Sequence, residues 1–285
     1  MSISISFEVF PPKSADGLEE LRSTVAQLSK IGPSFVSVTY GAGGSDRERS
    51  FAAIDAVRTA GFNVAGHLTC VGQARSEIDG VIEQYAALGV SQIVALRGDP
   101  PGGVDASYQP HDDGYHRTAD LVHAIKQRGG FDVAVSAYPE RHPQSPTDDH
   151  DLKMLADKVA AGADKAMTQM FFDNSHYLRY RDRAEACGID IPIVPGIFPI
   201  HSFPTVARFA DRCGASMPSR IADRFAGLDD DAETTLAIAA ELAATQINQL
   251  AEHGVEQVHI YTLNRADLAI AVCEQITLST KVIAA

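Results

Sequence analysis

One acidic side chain stands inside an apolar run close to the amino terminus. Glu8 lies in the middle of SFEVF (residues 6–10), shortly before Pro11 and Pro12. An ionised carboxylate is costly to bury without a partner, and a partly buried one tends to have a raised pKa, which suits it to proton transfer. The other interpretation is a solvated glutamate on the polar face of an edge strand. Its neighbours in space decide between these two roles.

Further polar residues occur where the later apolar runs of the chain end. They are Thr39, Tyr40, His67, Arg97, Asp99, Tyr138, His142, Gln169 and, after the last run, Arg265. Each alone has a structural explanation, such as a core histidine or tyrosine with satisfied hydrogen bonds. Barrel enzymes keep their chemistry at the carboxyl ends of the strands, whereas the barrel interior is normally filled by Val, Ile and Leu. The repetition therefore indicates a shared functional site.

The elements that position these residues follow a regular alternation. Apolar runs predict strands at residues 4–10, 35–40, 63–70, 92–98, 131–138, 165–172, 191–197 and 257–263, with segments of helical period between them. Alternating strands and helices favour a parallel sheet. Eight such units predict an α/β fold, a closed (β/α)8 barrel over residues 1–285 with no regulatory domain, and a doubly wound open sheet is the alternative. The long stretch 202–254 predicts extra helices between strands seven and eight.

Composition narrows the class of protein. The chain has 24 Lys and Arg against 37 Asp and Glu, a net charge of −13, which disfavours nucleic acid as a partner. No apolar run is long enough to span a membrane and no secretory signal precedes the first strand, so we expect a cytoplasmic protein. The four cysteines are scattered and the histidines show no metal-ligand spacing, so we predict no metal site.

Two further patterns have both a structural and a functional interpretation. The loop YGAGGSDRERS (residues 40–50) has Asp46 at the third glycine position of G-x-G-x-x-G, so it does not predict a dinucleotide fingerprint. Its glycines favour a strand-to-helix turn, which can also let the backbone approach a flat ring. Asp151 and Lys158 stand two helical turns apart on one face. That face is either solvated or suited to a ribose and a phosphate.

Nine segments together resemble methylenetetrahydrofolate reductase of the bacterial type. They are FEVFPPKS, VSVTYGAGG, GHLTC, LRGDPP, AYPERHP, DKAMTQMFFD, PGIFPI, GLDDDAET and YTLNRA, in this order over nearly the whole chain. The resemblance implies a barrel that contains FAD and takes a hydride from NADH or NADPH. It would deliver that hydride to 5,10-methylenetetrahydrofolate and so form 5-methyltetrahydrofolate, a step of one-carbon metabolism that serves methionine biosynthesis.

The resemblance also implies roles for individual residues. Glu8 matches the general acid, and Asp99 matches a carboxylate near the flavin and the pterin. The positions that match FAD-binding residues are Thr39, Tyr40, Ala42, His67, Arg97, Gly98, Asp99, Tyr138, His142, Asp151 and Lys158. The positions that match substrate-binding residues are Gln169, Phe209, Arg265 and Thr39. The regulatory region of the larger eukaryotic enzymes is not expected here.

The chemistry explains why an acid is needed. The substrate's methylene bridge accepts a hydride after one C–N bond opens, and the leaving nitrogen must be protonated. We expect the apolar neighbours Phe7, Val9 and Phe10 to raise the pKa of Glu8 towards neutrality. A folate-dependent methyltransferase and a non-catalytic flavin-binding or folate-binding barrel remain as alternatives. One set of strand ends predicts one site and ping-pong kinetics, and the Ala-rich stretch 236–254 predicts a homo-oligomer.

Overall fold

The computed structural model describes residues 2–41, 44–100, 108–228, 230–277 and 279–280. The strands are β1 (Ser2–Val9), β2 (Val36–Val38), β3 (Val64–Thr69), β4 (Gln92–Leu96), β5 (Asp132–Ala137), β6 (Lys165–Thr168), β7 (Ile193–Val194), β8 (Gly196–Ile197), β9 (Gln257–Tyr261) and β10 (Ser279–Thr280). The α-helices are α1 (Ala15–Leu28), α2 (Gly44–Thr59), α3 (Arg75–Ala87), α4 (Thr118–Arg128), α5 (Asp148–Ala160), α6 (Asn174–Ala186), α7 (Phe203–Arg212), α8 (Ser219–Phe225), α9 (Ala232–Glu252) and α10 (Ala266–Glu274).

The strands form one parallel barrel in the order of the sequence. The hydrogen-bonded order is β7-β6-β5-β4-β3-β2-β1-β9-β8, and the short β10 pairs with the start of β1. The predicted seventh strand is interrupted at Pro195, so β7 pairs with β6 while β8 pairs with β9. These two halves close the ring. The consecutive order confirms the (β/α)8 barrel and excludes the doubly wound sheet, in which the strand order reverses.

Strand β1 shows how the sequence divides its side chains between two environments. Ile5, Phe7 and Val9 are buried in the core between the barrel and its helices. Because side chains alternate along a strand, Ser6 and Glu8 point into the barrel instead. A second apolar cluster contains Phe35, Ala65, Val94, Ala134, Met167 and Val194, contributed by β3 to β7 and the residue before β2. The barrel interior is therefore apolar along most of its wall and polar beside β1.

The region between β8 and β9 contains the predicted extra helices, α7, α8 and α9. Along α9, Leu236, Ile238 and Leu242 are partly buried and pack against the core of the same chain. The apolar excess that suggested a homo-oligomer therefore covers the barrel itself, and the oligomeric state stays a prediction. Among the described helices, none is both long and apolar enough to cross a membrane.

Candidate functional site

A cavity of about 630 Å³ opens where the strands end, within the size range of small-molecule sites. The predicted residues that line it are Glu8, Thr39, Tyr40, His67, Arg97, Gly98, Asp99, Tyr138, His142, Asp151, Lys158, Gln169 and Phe209. Ala42 lies outside the described residues. Arg265 does not line the described part of the cavity, and its guanidinium pairs with the Asp267 carboxylate at 3.2 Å. One site thus collects residues from almost every strand.

Glu8 lies on the floor of this cavity among buried polar partners. Its side chain is 21% exposed, and Oε2 lies 3.4 Å from Nε2 of His67 and 3.8 Å from Nε2 of His259. The Ser37 hydroxyl lies 3.3 Å from the same nitrogen of each histidine. Tyr85 of α3 donates a 2.6 Å hydrogen bond to the His67 carbonyl and so holds β3 in place. Glu8 is therefore not a solvated residue of an edge strand.

The expectation that the environment raises the pKa of Glu8 is wrong in direction. Burial raises the pKa of the Glu8 carboxyl, but the nearby imidazoles of His259 and His67 together place it below its ordinary value. Phe7 and Val9, which were expected to raise the pKa, point away from the carboxyl towards the helices. Burial lowers the pKa of His67. The acid and the two imidazoles therefore form one coupled group.

A buried cation lies on α5 at the opposite wall. Lys158 is 8% exposed, and its Nζ donates a 2.5 Å hydrogen bond to the Ser136 carbonyl. Burial lowers the pKa of Lys158 to about 8, against the opposing effect of Asp151. Asp151 accepts hydrogen bonds from the His142 amide at 3.0 Å and from the Ser145 hydroxyl. A charged ammonium this deep in an acidic protein favours an anionic ligand in the cavity.

The wall between β3 and β5 combines a close backbone approach with aromatic rings. Gly98 has φ +83°, and a Cβ there would lie 2.5 Å from the Val71 side chain, so a side chain does not fit. Arg97 lies over the Tyr108 ring at 5.0 Å, and Tyr138 packs edge-on against His142 with ring centroids 4.7 Å apart. This wall can accept a flat ring beside the backbone.

The remaining wall is aromatic and comes from the last part of the chain. Phe198 lies 5.7 Å from Phe209 and 5.8 Å from Tyr261, measured between ring centroids. Phe209, on α7, is 42% exposed at the cavity mouth. Gln169 uses its side-chain carbonyl to accept from the Met170 amide at 2.9 Å, which leaves its NH₂ group for a ligand. The aromatic wall and this amide suit a planar ring that carries carbonyl groups.

Several residues of the site had no catalytic or binding role assigned from the sequence, although Thr69, Phe198 and the stretch 261–265 were recognised as strand ends. They include Thr69, Met154, Phe198, Tyr261 and Leu263, and beneath them the buried His259, Ser37 and Ser6. The Thr69 hydroxyl is buried and has no hydrogen-bond partner among the described residues, so it can serve a ligand. The signal for His259 was its spacing of two from Tyr261, which places both side chains on one face of β9. Across the residues the structure describes, no group of three His, Cys, Asp or Glu side chains could hold a metal ion.

The comparisons with known proteins agree on one family. The family model described as methylenetetrahydrofolate reductase matches residues 1–277. The 5,10-methylenetetrahydrofolate reductase of Pectobacterium carotovorum subsp. carotovorum is 42% identical, covering 95% of this chain and 89% of the relative. That of Escherichia coli (strain K12) is 41% identical, covering 95% and 90%. Methylenetetrahydrofolate reductase (NADH) 1 of Arabidopsis thaliana is 34% identical, covering 94% of this chain and 47% of the relative.

Solved structures with low sequence identity share the fold. A Clostridium thermocellum protein that binds two copies of 5-methyl-5,6,7,8-tetrahydrofolic acid matches with a TM-score of 0.62, at 13% identity and 96% coverage of both chains. A dihydropteroate synthase from Xanthomonas albilineans matches with a TM-score of 0.52, also at 13% identity, covering 95% of this chain and 91% of that chain. At this identity the likeness describes the fold alone.

Proposed function

The chain belongs to the methylenetetrahydrofolate reductase family and is an oxidoreductase, and on this premise we propose that it reduces 5,10-methylenetetrahydrofolate to 5-methyltetrahydrofolate with FAD and NADH or NADPH. The observation that carries the proposal is the Glu8 carboxylate on the floor of a cavity of about 630 Å³. A non-catalytic binding barrel has no use for an acid at this position. The cytoplasmic location and the place in methionine biosynthesis remain predictions.

The cavity has the features that FAD requires. Lys158 is a buried cation suited to a phosphate, and Asp151 keeps free lone pairs for a ribose hydroxyl. Gly98 and the rings beside it leave room for a flat heterocycle. The other residues that would hold the cofactor are Thr39, Tyr40, His67, Arg97, Asp99, Tyr138 and His142. When bound, FAD supplies hydride transfer, which no side chain of the chain can perform.

The chain's own residues supply the proton and the charge. Glu8 donates a proton to the substrate nitrogen whose bond to the methylene carbon breaks, and the electron pair of that bond stays with the nitrogen. The cation left on the carbon is stabilised by the negative charge of Asp99, which lines the same cavity. Apolar and aromatic side chains of the walls limit the access of water to the carboxyl when substrate fills the cavity. These roles need both acids in one cavity, as observed here.

One cavity serves both substrates in this proposal. Gln169 offers its NH₂ group and Phe209 its ring to whichever of the two planar substrates is bound. Because the nicotinamide and the pterin use the same wall, one must leave before the other enters. The proposed kinetic mechanism is therefore ping-pong.

The experiment separates the two half-reactions. The purified protein, saturated with FAD, is reduced anaerobically with NADH or NADPH and then mixed with methylenetetrahydrofolate, and absorbance follows the cofactor. We expect reduction, then reoxidation with 5-methyltetrahydrofolate as the product. A protein that takes up no FAD, as a folate-dependent methyltransferase would, contradicts the proposal. A protein that binds FAD but performs neither half-reaction is a binding barrel and contradicts it as well.

A further inference from the structure

His259 is a fully buried histidine beneath Glu8, and the reaction described above makes no use of it. Its side chain is 0% exposed on β9. The ring is stacked on Phe35 with centroids 5.7 Å apart, and Tyr261 meets it edge-on at 5.5 Å. A barrel interior is normally filled by apolar side chains, so an imidazole at this position requires an explanation.

Ser6 determines which ring nitrogen of His259 carries a fixed proton. The Ser6 hydroxyl donates to the Val258 carbonyl at 3.2 Å, and its oxygen lies 2.8 Å from Nδ1 of His259. A hydroxyl has one proton to donate, so here its oxygen accepts from the ring N–H. In this arrangement Nδ1 carries the proton that faces Ser6, and Nε2 faces Glu8. The nitrogen that can gain or lose a proton is Nε2.

This free nitrogen points at the proposed acid. Nε2 of His259 lies 3.8 Å from Oε2 of Glu8 and 3.3 Å from the Ser37 hydroxyl. Ser37, also fully buried, lies 3.3 Å from Nε2 of His67, which lines the cavity. His67, Ser37 and His259 thus form a continuous polar path from the cavity to the base of Glu8.

The other titratable groups around His259 do not compete for this role. Glu8 faces it from β1, His67 from β3 and Tyr261 from β9 itself. Burial raises the pKa of Tyr261 well above its ordinary value, so the phenol stays neutral. On the far side of the Phe35 ring, Lys165 of β6 has its Nζ 5.3 Å from the ring centroid. Glu8 is therefore the acid that His259 serves.

We propose that His259 is the positioning residue of the proposed reductase reaction, holding on Nε2 the proton that Glu8 delivers. During the reaction this one proton passes from Nε2 to the Glu8 carboxylate and from there to the leaving nitrogen, which leaves an ionised carboxylate and a neutral ring. Solvent in the cavity then reprotonates the ring through His67 and Ser37. One proton is consumed per hydride delivered, which balances the reduction. The inference rests on the proposed function for its role in turnover, although the proton sharing itself does not.

A shared proton has a measurable consequence. Two groups that share one proton hold it more tightly than either group alone, so the pair stays protonated to a higher pH. Replacing His259 by a side chain that cannot be protonated leaves Glu8 alone. Glu8 must then lose its proton at a lower pH than in wild type.

The test is the pH profile of reoxidation of the reduced holoenzyme by methylenetetrahydrofolate, measured by stopped flow for wild type and His259→Gln. We expect the pH at which the rate falls on the alkaline side to be lower in the variant by about one unit or more. Above that pH the variant should then be about tenfold slower than wild type. At the acidic end the variant should approach the wild-type rate, and reduction by NAD(P)H should be unchanged. His253→Gln, on an exposed histidine after α9, is the matched control.

A rate lowered equally at every pH, or an unmoved profile, overturns the proposal. Nitrogen-15 NMR of the histidine rings provides a second readout that needs no turnover. In wild type the Nε2 resonance of His259 should titrate together with Glu8, and in Glu8→Gln it should remain that of a neutral ring. Identical His259 spectra in wild type and Glu8→Gln overturn the proton sharing. If wild type performs neither half-reaction, the proposed function fails while the NMR result still decides whether the pair shares a proton.

Discussion

Lys158 gives the most quantitative prediction, because the protein buries its charge. The pKa of Lys158 falls from 10.5 to about 8, first because of burial and against the effect of Asp151. At about 1.4 kcal/mol per pKa unit, keeping the folded protein's ammonium charged costs about 3 kcal/mol at pH 7. Lys158→Met removes the charge at similar volume but loses the hydrogen bond to Ser136, worth about 1 kcal/mol. We expect the flavin-free variant to be more stable by about 2 kcal/mol.

The pH dependence tests the cause of this gain. The unfolded chain keeps this proton up to pH 10.5 and the folded one only to about pH 8, so wild-type stability rises between these values. The advantage of Lys158→Met should therefore be full at pH 7 and vanish near pH 10. Urea unfolding of flavin-free protein at both pH values measures it, with the exposed Lys153→Met on the same helix as control. A Lys158→Met variant that is less stable than wild type at pH 7, or more stable at pH 10, would refute the reasoning. The affinity of this variant for FAD should fall by about tenfold or more.

Three further predictions concern the acid, the shared cavity and the break in strand seven. Glu8→Gln should leave reduction by NAD(P)H intact and slow reoxidation by methylenetetrahydrofolate at least about a hundredfold; an equal loss in both half-reactions would assign Glu8 a structural role. Double-reciprocal plots at several fixed concentrations of the second substrate should be parallel, with inhibition by excess folate, and intersecting lines would require a second pocket. In Gly196→Ala the new Cβ would lie 2.3 Å from the Thr168 carbonyl oxygen and 2.7 Å from the Tyr261 ring, so unfolding should require about 1–3 kcal/mol less. Gly80→Ala, where nothing lies within 4 Å, is its control in urea unfolding and should be neutral or stabilising.

The sequence predicted the barrel and most of the cavity lining because both follow from local periodicity. Thr39, His67 and Gln169 end their apolar runs, and strand ends in a parallel barrel must meet. The environment of Glu8 could not be predicted in this way. Its partner His259 lies on β9, which becomes a neighbour of β1 only when the barrel closes. Composition around Glu8 along the chain therefore gave the wrong direction for its pKa.

The position of Arg265 could not be predicted from the sequence either, for a different reason. After β9, Leu263 and Asn264 have φ values of +53° and +57°, a conformation that non-glycine residues rarely adopt. The Asn264 side chain holds this turn by bonding to both the amide and the carbonyl of Phe10, each at 2.9 Å. No local sequence pattern predicts such a turn, so the direction of the chain after it could not be predicted. The role of Arg265 in substrate binding stays a prediction.

The first and last long strands of the barrel meet at the proposed acid, which determines when the site can form during folding. Ser6 and His259 are 253 residues apart, and the Glu8 carbonyl accepts a 2.6 Å hydrogen bond from Thr262, 254 residues further on. Contacts between such distant parts of a chain form slowly, because a long loop must close first. On the ribosome, Glu8 emerges well before β9, and the two cannot meet until the 254 residues that follow Glu8, up to Thr262, have been made. In a refolding experiment, recovery of the folate half-reaction should therefore lag behind the recovery of helical circular dichroism and mark closure of the barrel.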